Sequence, residues 1–214
     1  MKAMIILATL APVAAHADNF AAIAEGQNVT TVTTGVEHGL VVGAGYEHVA
    51  SIAGRPIVIG GDFSVSAAGM DPSDSRVRIG ALVPIVRGGA WQWIGGFAAV
   101  TTSTDNDVAR MIDVGADFAM LGGYYAPRWF AAAELRFDWA IATHIAQSDA
   151  YKMQYSGARD GWYGNAGGLI RGGLQTGVSF GGNDLTLCGG MMRDDAGNPP
   201  MLPFYATLAY DRRW

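Results

Sequence analysis

Residues 128–141 read RWFAAAELRFDWAI and alternate strictly between two kinds of side chain. One parity is apolar or aromatic throughout, and the other carries the charges of Glu134, Arg136 and Asp138. Because successive side chains of a strand point to opposite faces, this segment predicts a strand that is apolar on one face and ionic on the other. A soluble sheet would turn the ionic face to water. A transmembrane barrel would turn the apolar face to lipid and the ionic face to its lumen.

The N-terminus favours the membrane interpretation because residues 1–17 have the pattern of a secretory signal peptide. Lys2 precedes a short apolar run, and Ala15-His16-Ala17 is a small-x-small cleavage site. The apolar run is too short for a membrane-spanning helix. We expect residues 1–17 to be removed on export, which takes Lys2 away and changes the formal net charge from −5 to −6.

The C-terminal strand also favours a membrane barrel. The chain stops at Trp214, and counting back in twos gives a mostly apolar face. The residues of this face that we interpret as an assembly signal are Phe204, Leu208, Tyr210 and Trp214. The pattern resembles the C-terminal strand of bacterial outer-membrane barrels, which ends in Phe or Trp and is bound by the barrel-assembly machinery. Arg212 departs from it, since an apolar residue is usual two places before the end. The resemblance implies an outer-membrane location, with outer-membrane lipid and the assembly machinery as partners, and it implies no particular activity.

Turn signals divide the rest of the chain into strands joined alternately by short and long connections, which is typical of outer-membrane hairpins. The strands are predicted at roughly 28–36, 39–51, 56–68, 75–87, 90–103, 109–124, 128–143, 162–180, 184–193 and 203–214. The sequence therefore predicts an all-β, closed, antiparallel up-and-down transmembrane barrel over residues 28–214, with ten strands as first choice and eight as second. Residues 18–27 are interpreted either as a periplasmic tail or as a segment folded into the lumen.

The two faces of these strands carry different candidate residues. The charged residues predicted to line the lumen are Glu47, Asp62, Arg78, Asp113, Asp117, Glu134, Arg136, Asp138 and Arg171. Six carboxylates and three guanidiniums leave a balance of −3. These groups either form an ion-pair network that fills a narrow barrel or line a channel that weakly prefers cations. The aromatic residues predicted at one membrane interface, beside short turns, are Trp91, Trp93, Tyr124 and Trp129, and Tyr125 is placed with them.

An enzymatic role is not expected. His38, His48 and His144 are the histidines left after signal removal, and none belongs to a recognisable catalytic motif. Cys188 is the only cysteine, so it forms no internal disulfide, and it has no neighbouring His for a metal site or an activated nucleophile. No metal or other cofactor is predicted. The acidic chain lacks a basic cluster, so nucleic-acid binding is not expected either.

The longest predicted loop, residues 148–161, combines aromatic and arginine side chains that suit recognition surfaces. Its contact candidates are Tyr151, Tyr155 and Arg159, although these tyrosines could equally rest on the barrel rim. The leading hypothesis is a structural or surface-interaction barrel whose extracellular loops contact a partner that the sequence does not identify. The alternatives are a narrow, weakly cation-preferring channel and an outer-membrane hydrolase or acyltransferase that uses His48 or His144.

Overall fold

In the computed structural model, which describes residues 19–37, 39–67 and 71–214, the chain forms a closed β-barrel. Ten strands and one short helix lie in these ranges. The strands are β1 (Asn28–Val36), β2 (Leu40–Ile52), β3 (Arg55–Ser66), β4 (Asp71–Gly88), β5 (Trp91–Asp105), β6 (Ala109–Ala126), β7 (Trp129–Gln147), β8 (Gly161–Phe180), β9 (Asn183–Asp194) and β10 (Phe204–Arg213). The helix α1 (Asp149–Gln154) lies between β7 and β8.

Each strand pairs antiparallel with its neighbours in sequence, and β1 pairs with β10 to close the sheet. The closing register runs from Val29 opposite Arg213 to Val36 opposite Ala206. Closure satisfies the backbone hydrogen bonds that an open sheet would leave exposed at its edges. The prediction of an all-β, closed, antiparallel up-and-down barrel with ten strands is confirmed.

The strand bounds differ from the predicted ones mainly at one end of the barrel. β4 begins at Asp71 rather than at residue 75, and β7 runs to Gln147 rather than to residue 143. The added residues of β7 pair with β6, where Gln147 lies opposite Ala109. Polar segments that would be loops in isolation are thus held as strands by pairing with a neighbour.

The two ends of the barrel differ in their connections. At the end that we call the short-turn end, β2–β3, β4–β5, β6–β7 and β8–β9 are each joined by two residues. Both barrel termini lie there too, since the backbone N–H of Asn28 donates to the carbonyl of Trp214 at 2.9 Å. The connections that contain α1 and residues 195–203 lie at the opposite end, which we call the long-loop end.

One short turn carries a strained residue. Ala53 has a φ of 52° and is followed by Gly54 with a φ of 75°. Two successive positive φ values are typical of a type I′ turn, which favours Asn at its first position, and an ordinary L-residue there costs about 1–2 kcal/mol.

We therefore expect Ala53→Asn to raise the free energy of unfolding by about 0.5–1 kcal/mol in a urea titration followed by tryptophan fluorescence. The matched control is Ala90→Asn. Ala90 occupies another two-residue turn, in which Gly89, at 66°, carries the positive φ. Equal gains at both positions would show that the Ala53 backbone conformation is not the cause.

The two faces of the sheet differ in polarity. On the outer face, large apolar side chains are exposed, as for Leu135 (57% exposed) and Trp139 (39%). On the inner face, charged side chains are buried, and Glu134 is 6% exposed although it neighbours Leu135. On this part of β7 the charged side chains therefore face the lumen and the apolar ones cover the outside.

An apolar layer fills the lumen near the short-turn end. Its members are buried and belong to one cluster: Phe20, Val49, Val58, Leu82, Ile94, Ala119, Leu121, Tyr125, Phe130 and Ala132. The rings of Tyr125 and Phe130 stack with their centroids 5.5 Å apart. This layer fills the lumen at that level with apolar side chains.

The segment that precedes β1 lies inside this end of the barrel. Phe20 is 2% exposed and meets Tyr125 edge to face, with ring centroids 6.2 Å apart. The Asn19 side-chain amide donates to the Ala126 carbonyl and to the Ser179 hydroxyl, both at 2.8 Å. Of the two interpretations of residues 18–27, the lumenal one applies to Asn19 and Phe20, whereas residues 24–26 are exposed. The described residues of the segment form turns rather than a helix.

Candidate functional site

A layer of ion pairs crosses the lumen above the apolar layer. Arg171 donates to Asp117 at 3.0 Å and to Glu37 at 3.3 Å. Arg78 donates through Nε to Asp62 at 2.8 Å. These residues are buried, and an ion pair is favourable in such surroundings only when its hydrogen-bond geometry is good. Arg78 and Asp62 face each other on the neighbouring strands β4 and β3, whereas Arg171 on β8 reaches past β7 to Asp117 on β6 and also contacts Glu37 after β1.

Glu134 connects this ionic layer to β9 and β10. Its Oε2 accepts hydrogen bonds from Gln175 at 3.1 Å and Arg136 at 3.3 Å. Its Oε1 accepts from Cys188 Sγ at 3.2 Å and from the hydroxyl of Tyr205. The four donors come from β7, β8, β9 and β10, so one carboxylate links four neighbouring strands.

The structure puts all nine charged residues predicted for the lumen on the inner face. Seven of them are buried: Glu47, Asp62, Arg78, Asp117, Glu134, Arg136 and Arg171. Asp113 and Asp138 are half-buried nearer the long-loop end.

Sequence reasoning missed Arg76 and Glu37, which belong to the same layer. Arg76 pairs with Asp138, and its Nη2 lies 3.8 Å from Asp117. Arg76 lies two residues before Arg78 and so faces the lumen as Arg78 does. The predicted strand began at residue 75, which placed Arg76 at the end of that strand. Glu37 follows the last residue of β1, where alternation gives no signal. The two residues add one carboxylate and one guanidinium to this layer. Asp184 and Asp211, which the sequence prediction also missed, are buried nearer the short-turn end, where Asp184 pairs with Arg213 at 3.1 Å.

Above the ionic layer the lumen opens into a cavity of about 510 Å³, which we call the lumen cavity. Its side walls carry hydroxyl and carboxylate groups on β3, β4, β5 and β6. The polar residues of these walls include Ser64, Ser66, Asp74, Thr102, Thr104 and Asp113. Arg76 and Asp138 also line the cavity, next to the ionic layer.

The lumen cavity presents more negative than positive charge. Asp113 accepts a hydrogen bond from the Thr143 hydroxyl, and Asp74 is exposed. The Arg76 guanidinium is engaged by Asp138. An arrangement of this kind can bind hydrogen-bond donors and cations.

The four predicted interface aromatics lie on the outer face near the short-turn end. Trp91, Trp93 and Trp129 are 65%, 56% and 47% exposed. Tyr124 is half-buried between two of them: its ring meets Trp91 edge to face at 5.7 Å and stacks on Trp129 at 5.2 Å. Placing Tyr125 with this group was wrong, because Tyr125 is 1% exposed and faces the lumen. Adjacent strand residues point to opposite faces, so Tyr124 and Tyr125 cannot both point outward.

The predicted assembly-signal residues share the outer face of β10 and the end of the chain. Phe204, Leu208, Tyr210 and Trp214 are 48%, 43%, 44% and 63% exposed. Arg212 has the same parity, and its guanidinium donates to the Asn183 side chain at 3.0 Å beside the β8–β9 turn. Its charged group is thereby held at the barrel end.

The long β7–β8 connection contains a helix that the sequence interpretation did not include. Ser148 caps α1 by accepting a hydrogen bond from the Tyr151 N–H at 3.3 Å. Tyr151 and Tyr155 pack against each other with ring centroids 4.7 Å apart. Arg159 is exposed, and its carbonyl accepts from the Tyr163 hydroxyl at 2.9 Å. The contact candidates thus form a small folded loop.

An ion pair fixes the end of this loop. The Lys152 ammonium donates to Asp160 at 2.7 Å, and the Gln147 N–H donates to the same carboxylate at 2.8 Å. These two hydrogen bonds lower the pKa of the Asp160 carboxyl from its ordinary value.

The two described histidines, His48 and His144, contact Asn28 and Trp162, and His144 also lies close enough to Asp160 to interact with its charge. His48 shares a hydrogen bond with the Asn28 side chain at 3.0 Å. The His144 ring meets Trp162 at 5.2 Å. The third histidine, His38, lies outside the described residues. Cys188 is buried and donates to Glu134, which leaves its sulfur without access from solvent.

Comparisons with known proteins do not assign the chain to a group. It matches no family model, and a search of the curated proteins finds no significant match. Over the described ranges, no helix has both the length and the apolar character needed to cross a membrane.

Proposed function

We propose that the protein is an integral outer-membrane barrel that is closed to ion flow and acts through its long-loop end. The observation that carries the proposal is the apolar packing of the lumen near the short-turn end. Phe20 and the rest of the apolar layer fill the lumen there, and the ionic layer lies directly above. Solutes could therefore reach the lumen cavity from the long-loop end but would not pass through the barrel.

The outer face supports the membrane part of the proposal. Leu174 is 70% exposed and Leu187 56%, which is unfavourable in water and expected in hydrocarbon. The aromatic patch around Trp91 and Trp129 suits a membrane interface at the short-turn end. The signal-peptide pattern of residues 1–17 and the apolar outer face of β10 agree with export and outer-membrane assembly.

The channel alternative is disfavoured by the same apolar layer. We expect the purified full-length barrel to give no stable conductance steps in planar lipid bilayers in 1 M KCl. A general porin reconstituted in the same bilayers is the positive control. Regular steps from the barrel that change in size with Asp113→Asn would overturn the closed-barrel proposal and favour the cation channel.

The contact surface of the proposed barrel is its long-loop end. Tyr155 packs against Tyr151 and is still 51% exposed, and Met153 between them in sequence is 83% exposed. Aromatic side chains of this kind contribute strongly to interfaces because they bury large area with few rotatable bonds. No catalytic activity is proposed, since neither His48 nor His144 has a Ser or Asp hydrogen-bond partner among the described contacts.

A further inference from the structure

We propose that the lumen cavity binds a small organic cation, such as a primary amine or polyamine, through Asp113 and Asp74. The inference rests on the proposed function, because it requires a lumen that is closed below the cavity and entered from the long-loop end. It adds the chemical class of the ligand and the residues that would hold it.

The lumen cavity exists because small residues line this part of the barrel. The lumen of a small barrel is ordinarily filled by side chains. In the apolar layer the large rings and side chains of Leu121, Tyr125 and Phe130 provide that filling. Around the lumen cavity the wall carries small residues instead, among them Gly115 and Ala140. A volume of about 510 Å³ lies within the range of small-molecule sites.

The charge of the lumen cavity favours a cationic ligand. Among the described residues, neither Asp74 nor Asp113 has an Arg or Lys at ion-pair distance. Asp113 accepts one hydrogen bond, from the neutral Thr143 hydroxyl. A carboxylate offers about four acceptor positions, so Asp113 keeps capacity for a donor that enters the cavity. Arg76, the guanidinium in the wall, is already committed to Asp138, which makes an anionic ligand unfavourable.

The spacing of the carboxylates over two strands favours an organic cation over a bare metal ion. In the described part of the chain, no three His, Cys, Asp or Glu side chains lie close enough to hold one metal. Asp74 and Asp113 instead occupy two different strands, β4 and β6, with the hydroxyls of Thr102 and Thr104 on β5 between them. A ligand with separated ammonium groups can meet both carboxylates, and its remaining N–H groups can donate to the hydroxyl oxygens.

The test is calorimetric titration of the full-length barrel in detergent micelles with spermidine as the probe. We expect saturable binding that weakens with added salt. Asp113→Asn, which keeps the size of the side chain, should weaken the affinity at least tenfold. The matched control is Asp107→Asn, which removes the same charge from an exposed residue of the β5–β6 loop and should leave the affinity unchanged.

A second variant tests the cavity itself. Thr102→Phe should fill the void and abolish spermidine binding, while circular dichroism verifies that the barrel is still folded. The inference is overturned if the wild type does not bind spermidine, if Asp113→Asn binds as well as the wild type, or if glucose binds as tightly as spermidine. These results are independent of the bilayer recordings: a closed barrel that binds no amine loses only this inference, whereas conductance steps refute the closed barrel.

Discussion

Replacing Glu134 with alanine is expected to lower the free energy of unfolding by about 3–5 kcal/mol, the range for removing one partner of a buried ion pair. Glu134 is 6% exposed and accepts hydrogen bonds from Arg136, Gln175, Cys188 and Tyr205. Without the carboxylate, the buried Arg136 charge loses a partner and the donors of three other strands are left unsatisfied. Urea titration of the refolded barrel, followed by tryptophan fluorescence, measures the change.

Two further variants separate charge from hydrogen bonding at this position. Glu134→Gln keeps the shape and one acceptor oxygen, so we expect a loss between that of the alanine variant and zero. Glu25→Ala removes the same type of side chain from an exposed position and should change the free energy by less than about 0.5 kcal/mol. A loss at Glu134 no larger than at Glu25 would mean that the carboxylate does not hold the four strands together.

The second large effect is expected at Ala133, on the outer face of β7. If this face meets hydrocarbon as proposed, Ala133→Arg should cost about 2–4 kcal/mol in a lipid-refolding titration, the range for arginine near the bilayer midplane. Ala133 lies opposite Gly122 and Leu174 in the flanking strands, and it is exposed. A long side chain therefore has room there, and the cost would reflect transfer into lipid rather than a clash.

Ser66→Arg is the control for this prediction. Ser66 lines the lumen cavity, where water and the carboxylates of Asp74 and Asp113 can accommodate a guanidinium. We expect a clearly smaller loss than at Ala133. Equal losses at the two positions would contradict the assignment of the outer face to lipid, and with it the proposed membrane location.

The alternation seen at 128–141 predicted much of the fold because it is a local signal. Side chains of a strand alternate whatever the strand pairs with, so Glu134, Arg136 and Asp138 share a face from sequence alone. The same reasoning placed the outer aromatics and the polar face of β10. The prediction for Tyr125 was wrong because Tyr125 was grouped with the neighbouring Tyr124 as an aromatic residue, although adjacent strand residues point to opposite faces. Arg76 was missed because the strand that contains it was predicted to begin too late.

Only the tertiary structure decided which inward groups meet. Arg171 pairs with Glu37 and Asp117, which lie far before it in the sequence. Barrel closure and strand register bring the three side chains together. The Phe20 segment inside the lumen and the cavity beside Asp113 also depend on packing across the barrel. The period of two in a sequence determines the face of each side chain, whereas its height and its partner depend on strands that pair only in the closed sheet.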